Sequence, residues 1–206
     1  MKLDSGQIKK LEDFLDYIET QTYPEPVSGM HQNITAQMMT RLYEQFDLGK
    51  DARVLDVGCG QGVALRMFTD NGCDVTGITL NQEDVDFCCN EDFNVLKMDQ
   101  SFLDFEEDHF DLVWSRHCLE HSIFPFFTLH GFYAVLKKGG LLYLEVPAPD
   151  TRCQHQCNPN HYSVLSKSML IELIRRSGFS LLEAMDLDLE INGGKDKYFA
   201  FIAKKS

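Results

Sequence analysis

Val54-Leu55-Asp56-Val57-Gly58-Cys59-Gly60-Gln61-Gly62 is the stretch from which the fold of this chain can be read. Arg53 to Val57 is β-branched and apolar, as a buried strand requires, and from Gln61 onward Val63, Ala64, Met67 and Phe68 return at helical spacing. The turn between them is a strand-to-helix crossing. Gly58, Gly60 and Gly62 alternate along it, which permits positive φ and lets a ligand lie against bare backbone. Asp56 stands at the carboxyl end of the strand, where open parallel sheets bind their ligands, and a carboxylate there accepts hydrogen bonds or attracts a cation. The spacing D-x-G-x-G-x-G differs from the dinucleotide pattern G-x-G-x-x-G and from the triphosphate loop G-x-x-x-x-G-K-[ST], whose lysine is missing here.

A chain of 206 residues is long enough for one domain with a full core, or one domain with an appended cap. Its 19 basic and 32 acidic residues give a net charge of −13. That balance suits a soluble surface and disfavours a broad phosphate-binding face, so the expected partner is a small molecule and not bulk nucleic acid. Seven cysteines, an odd number without a paired framework, point to a reducing, cytoplasmic setting. The opening MKLDSGQIKK lacks the apolar core of a signal peptide, and no apolar run approaches the ~20 residues of a membrane span. Oligomeric state is not legible from composition.

Working outward from the turn, residues 5–20 form an amphipathic helix with Ile8, Leu11, Leu15 and Ile18 on one face, which Tyr23-Pro24-Glu25-Pro26 breaks. A second helix over 34–46 carries Ile34, Met38, Leu42 and Phe46. These two helices either cover the carboxyl edge of the sheet or pad its side. Downstream, Asn71-Gly72 stops the first crossover helix, and strands follow over 74–78, 93–97 and 110–115. A helix from Pro125 turns Phe126, Leu129, Tyr133 and Leu136 inward and is closed by Lys137-Lys138-Gly139-Gly140 before a strand over 141–146. Ser166 caps a last helix, with Met169, Leu170, Leu173 and Ile174 inward, that ends at Gly178; strands over 180–187 and 197–203 finish the chain.

Three passages carry a family resemblance. The glycine run is similar to the first motif of the class I S-adenosylmethionine-dependent methyltransferases, FDLVWSRHCLEH (110–121) resembles their FDLVxSxxxLEH segment, and AVLKKGGLLYLEVPAP (134–149) resembles their helix-to-strand passage. Over residues 30 to 203 the likeness implies an α/β fold: a Rossmann-like, mostly parallel seven-stranded sheet in the order 3-2-1-4-5-7-6, its last strand antiparallel, with helices on both faces. The two helices that precede the sheet are expected to form an N-terminal helical cap (1–47) on a cofactor-binding domain (48–206) within one compact unit. The cofactor would be S-adenosyl-L-methionine and the product S-adenosyl-L-homocysteine. By the resemblance, Asp56, Gly58, Cys59, Gly60 and Gly62 pass under its methionine part, Asp99 accepts from the adenine amine, the backbone of Gln100 holds the ring edge, and Ser115 lies at the fourth strand's end. Relatives carry an acid at the Thr79 position to clasp the ribose. Here Thr79-Leu80 resembles the GxTLS turn of the cyclopropane-synthase-like branch, with Asn81, Gln82 or Glu83 to complete the contact.

Methyl transfer from a sulfonium is an in-line displacement, in which alignment and exclusion of water supply much of the acceleration. A hydroxyl acceptor also needs a base, an amine needs only to be neutral, and a carboxylate needs neither. His117 is the first candidate base; His121 belongs to the shared LEH signature and reads as structural, and Glu120 as a loop anchor. The resemblance places His161, followed by Tyr162-Ser163, near the acceptor pocket. Cys153, His155, Cys157 and His161, spaced C-x-H-x-C-x3-H, are zinc-type ligands at a spacing unlike the usual structural patterns, so no metal is expected. The expected activity is methyl transfer to an O or N atom of a small-molecule acceptor. The alternative is a non-catalytic cofactor-binding or partner-activating module on the same fold. A nicotinamide oxidoreductase is disfavoured, because the third glycine comes one residue early and no acid ends the second strand.

Overall fold

The computed structural model describes residues 2–22, 29–191 and 194–206, so the Tyr23–Pro26 break lies outside the described residues. Strands β1 (Arg53–Val57), β2 (Asp74–Thr79), β3 (Asn94–Lys97), β4 (Phe110–Arg116), β5 (Leu136–Pro147), β6 (Phe179–Ile191) and β7 (Gly194–Lys205) form one sheet in the order β3-β2-β1-β4-β5-β7-β6. β1 to β5 run parallel, and β7 is antiparallel to both β5 and β6. This is the Rossmann-like topology expected. Strand order reverses between β1 and β4, so their carboxyl ends open a crevice at the switch point.

The sheet is covered on both faces, which is why its central strands are continuous apolar runs. Alternate side chains go to opposite cores. Val54, Leu112, Trp114 and Tyr143 pack with Phe68 of α3 (Val63–Asp70) and with Met39 and Leu42 of α2 (Gly29–Gln45). Leu55, Val57 and Val113 pack with Leu129 and Phe132 of α5 (Pro125–Val135) and with Leu170 and Ile174 of α6 (Lys167–Arg176). α4 (Gln82–Asn90) closes a smaller cluster of Cys59, Leu65, Cys88 and Val95. α1 (Ser5–Glu19) begins with an Asp4–Gln7 capping box and buries only Ile18; Ile8, expected on its inner face, is 43% exposed.

Several sequence expectations are corrected. α4 was not foreseen, although Asn81 caps it, its side chain accepting from Asp84 N at 3.2 Å. Lys137-Lys138-Gly139-Gly140 opens β5 and does not close α5. Leu136 already pairs with Phe110, the register then slips before Leu112 meets Leu141, and Gly139 takes the bend at φ +82°. Lys137 Nζ sits 2.7 Å from Asp111 Oδ2 on β4 and serves no helix dipole. The buried side of α5 is Thr128, Leu129, Phe132 and Val135, leaving Phe126 46% exposed. Its rotation is set by Thr128, whose hydroxyl lies 2.8 Å from that of Ser101 and 2.7 Å from that of Ser122. Met169 is likewise 53% exposed, since Leu170 and Ile174, one turn apart, take the inner side of α6.

Candidate active site

A cavity of about 250 Å³ occupies the crevice at the carboxyl ends of β1 to β4, with Ile18 and Gln21 at the end of α1 and His31 and Thr35 of α2 on its outer wall. The N-terminal helices therefore cover the carboxyl edge, while α2 also pads one face of the sheet.

The three glycines of the β1 turn have different roles. The backbone N–H groups of Gly58 and Cys59 both donate to Ile78 O, at 2.9 and 3.1 Å, which pins the turn to β2. Gly58 has φ +73°, and a Cβ there would lie 2.6 Å from Cys118 Sγ, so glycine lets the segment after β4 approach. At Gly60, φ +48°, a Cβ would meet nothing within 4 Å: this is the bare floor of the cavity. Gly62, φ +79°, caps α3 against Cys88 and Leu65 and does not line the cavity.

Of the expected cofactor residues, Asp56, Gly58, Cys59, Gly60, Thr79, Leu80, Asp99 and Gln100 line the cavity. Ser115 does not: it is fully buried, and the β-strand alternation that turns Trp114 and Arg116 to the cavity turns it away. Asp56 is 3% exposed and its Oδ2 has no hydrogen-bond partner among the described residues. Burial pushes its carboxyl up to about 7, against the opposing pull of Arg116 and the Leu65 backbone. Gln100 Nε2 donates to Cys118 O at 2.8 Å, while its Oε1 is buried and without a hydrogen-bond partner among the described residues. Asp99 Oδ1 accepts from Ser101 N at 2.6 Å. The Thr79 hydroxyl accepts from Asn81 N at 3.2 Å, and Asn81 is itself the α4 cap. Gln82 and Glu83 stand outside the lining; the buried acid beside Asn81 that reaches it is Asp84.

At the opposite wall lies a polar network that the sequence reading missed. Glu145 on β5 is fully buried, with its Oε1 2.8 Å from His117 Nε2 and 2.9 Å from Arg116 Nε; its Oε2 accepts from Tyr143 Oη at 2.5 Å. The Arg116 contact is a close charge pair without hydrogen-bond alignment, and Arg116 Nη2 is buried with no hydrogen-bond partner among the described residues. Burial raises the Glu145 carboxyl, but His117, Arg116 and Tyr143 outweigh it and bring it to about 2. An ionised carboxylate only accepts, so His117 carries a proton on Nε2. His117 holds a left-handed backbone, φ +53°, and its N–H donates to Glu145 O at 2.8 Å. Its ring stacks on Tyr198 at 4.4 Å and meets His31 edge-on at 5.1 Å.

His121 also lines the cavity, and its Nδ1 donates to Asn160 O at 3.0 Å. His161 sits behind it, rings 4.7 Å apart and outside the cavity wall; burial, followed by the nearby His121 and His155, pushes it down to about 4. The C-x-H-x-C-x3-H quartet does not converge. Cys153 and His155 gather with Asp196, His161 gathers with Glu120 and His121, and Cys157 joins neither group.

A family model described as a methyltransferase domain matches residues 30–184. The chain belongs to the class I S-adenosylmethionine-dependent methyltransferases. It is 30% identical over 140 residues to the 27-O-demethylrifamycin SV methyltransferase of Amycolatopsis mediterranei, covering 62% of this chain and 52% of that protein. The chain spans about half the length of the curated relatives it matches. In fold it is similar to a SAM-dependent methyltransferase from Archaeoglobus fulgidus, with a TM-score of 0.65, 22% identity and coverage of 83% of this chain and 94% of that one. It is also similar to the [4+2]-cyclase SpnF, with a TM-score of 0.71, 20% identity and coverage of 98% and 96%.

The donor that this methyltransferase family implies matches the polar atoms at hand. The methionine ammonium and the adenine amine are hydrogen-bond donors, and the cavity offers two buried acceptor atoms without partners among the described residues, Asp56 Oδ2 and Gln100 Oε1. A carboxylate complements the unpaired Nη2 of Arg116. Among the described residues no helix is long and apolar enough to cross a membrane.

Proposed function

We propose that this methyltransferase transfers a methyl group to an oxygen or nitrogen of a small-molecule acceptor, leaving S-adenosyl-L-homocysteine. The observation that carries the reading is that His117, in the wall of the cavity whose floor is Gly60, is paired with the buried Glu145 behind it. S-adenosyl-L-methionine, when bound, supplies an electrophilic methyl on a sulfonium. In this reading Asp56 and Arg116 hold its amino-acid end, Gly60 gives it room, Asp84 and Asn81 face the ribose where Thr79 replaces the usual acid, and Asp99 and Gln100 grip the purine. Residues 1–47 act as a helical cap on the binding domain of 48–206, and the cysteine-rich, disulfide-free chain suits the cytoplasm.

His117 takes the acceptor's proton on Nδ1, and Glu145 offsets the charge of the imidazolium that forms, as in other carboxylate-oriented bases. Asn replacement of His117 should lower turnover of a hydroxyl acceptor by roughly 10²–10⁴-fold. The assay is transfer of labelled methyl from the donor into a metabolite extract, and undiminished transfer by His117→Asn overturns the base assignment. A second reading is a non-catalytic or partner-activating module on the same fold, in which the cofactor is held without methyl transfer. Binding of S-adenosyl-L-homocysteine with no label transfer to any fraction selects that reading.

A further inference from the structure

Histidines apart, four charged side chains line the cavity, Asp56, Asp84, Asp99 and Arg116, and the donor reading above uses all four. No lysine is among the lining residues, and Met1, residues 23–28 and residues 192–193, which lie outside the described residues, contain neither lysine nor arginine. The wall left to the acceptor offers neutral polar groups: Gln21 and Thr22 just past α1, Gln32 and Thr35 of α2, and Asn160 and Tyr162 of the loop before α6.

We propose, resting on the methyl-transfer reading, that the acceptor is an uncharged, polyhydroxylated small molecule, of which one hydroxyl receives the methyl and a second donates to Asn160 Oδ1. In the transfer the acceptor oxygen gains the methyl carbon, the C–S electron pair stays on sulfur and the hydroxyl proton goes to His117. Asn160 lines the cavity and is 7% exposed, and its Oδ1 is buried with no hydrogen-bond partner among the described residues. Its Nδ2 donates to Gln21 O at 3.3 Å; a carbonyl only accepts, so the amide nitrogen is the end turned to Gln21 and the oxygen is the end left to a hydroxyl. The residue is held in place by its neighbours, its backbone O accepting from His121 Nδ1 at 3.0 Å and its N–H donating to Asn158 Oδ1 at 3.4 Å. The wall is tied together on the other side as well, by the ion pair of Glu19, at the end of α1, with Lys97 of β3 at 2.5 Å.

Both kinds of ionic acceptor meet an unfavourable wall. A carboxylate or phosphate would lose its water without gaining a cation, because Arg116 already sits 2.9 Å from Glu145 and, in the donor reading, holds the donor's carboxylate, while Lys97 stands outside the lining. An ammonium would be brought against the positive sulfonium, and Glu145, the acid behind His117, is already spent on His117 and Tyr143. It would also have to lose its proton before it could attack. A neutral hydroxyl meets neither obstacle, and it is the acceptor for which a positioned base matters most.

The test is transfer of labelled methyl from S-adenosyl-L-methionine by the full chain into a metabolite extract, which is then passed over anion and cation exchangers at neutral pH. Label is expected in the fraction that neither exchanger retains, on a methyl ether whose mass spectrum shows at least one further hydroxyl; aromatic ultraviolet absorbance tells a phenolic source from a sugar-like one. Label held mainly by either exchanger, or a neutral N-methyl product, overturns the proposal and leaves the methyl-transfer reading standing. No label in any fraction removes that reading and this acceptor with it. In dilute extract Asn160→Leu should label the neutral fraction roughly 3- to 10-fold more slowly, the worth of one hydrogen bond. The deficit should close as the extract is concentrated, as a loss of acceptor binding requires, and unchanged affinity for S-adenosyl-L-homocysteine shows that the variant is folded. Undiminished labelling by Asn160→Leu, or a deficit that concentration does not close, overturns the contact with the second hydroxyl.

Discussion

Asp56 is held in a state that a free carboxylate would not choose. Its carboxyl moves from 3.8 to about 7 on folding, chiefly through burial, so between these values the folded chain binds more protons than the unfolded one. Its contribution to the ligand-free protein is therefore full below pH ~4 and is lost as pH rises through about 7. Melting curves from pH 4 to 8 should show the wild type falling relative to Asp56→Asn across that window, and parallel curves would contradict the burial argument. Glu145 is the opposite case, a carboxylate kept ionised by His117, Arg116 and Tyr143. Removing it strands the half-hidden charge of Arg116, so Glu145→Ala should cost about 3–5 kcal/mol by chemical denaturation, whereas Glu145→Gln keeps two hydrogen-bond positions and costs less. A loss below about 1 kcal/mol for the alanine variant would show that the network is not a buried pair.

Among the elements, the β1 turn was legible because everything it needs is local: an apolar strand, three glycines and a helix start within one run of chain. Its glycines should separate on substitution. Gly60→Ala costs about 1–2 kcal/mol for its left-handed backbone and places a methyl in the cavity, whereas Gly58→Ala adds a clash with Cys118 Sγ at 2.6 Å and destabilises more. Equal melting temperatures for the two would contradict this division. The start of β5 was not legible, since Lys137-Lys138-Gly139-Gly140 has the chemistry of a helix end, and only pairing of Leu136 with Phe110 makes it a strand. α4 was missed because QEDVDFCCN lacks a clear apolar stripe. Glu145 and Arg116 meet only because β4 and β5 are neighbours in register, Arg116 opposite Glu145, and His31 arrives from a helix far off in sequence. The one local hint was an acid inside the apolar run LLYLEVP.

For the molecule as a whole, the N-terminal helices differ in how deeply they are built in. Leu42 of α2 is fully buried in the core with Val54 and Trp114, so Leu42→Ala should cost about 2–5 kcal/mol. Ile8 of α1 is 43% exposed, and Ile8→Ala should stay within about 0.5 kcal/mol. Comparable losses would mean that α1 is packed more tightly than its exposure indicates. Arg41 of α2 also grips Glu183 of β6 through two hydrogen bonds, at 2.7 and 2.8 Å, tying the helix to the far edge of the sheet. Both helices reach the cavity, through Ile18 and His31, so the cofactor reading depends on the whole chain and not on the glycine turn alone. The most direct measurement is calorimetric titration of the intact protein with S-adenosyl-L-homocysteine, beside Asp56→Ala and Asp99→Ala. One molecule bound per chain, with the heat lost in both variants, is the predicted result. No heat from the wild type, or undiminished heat from both variants, would contradict it.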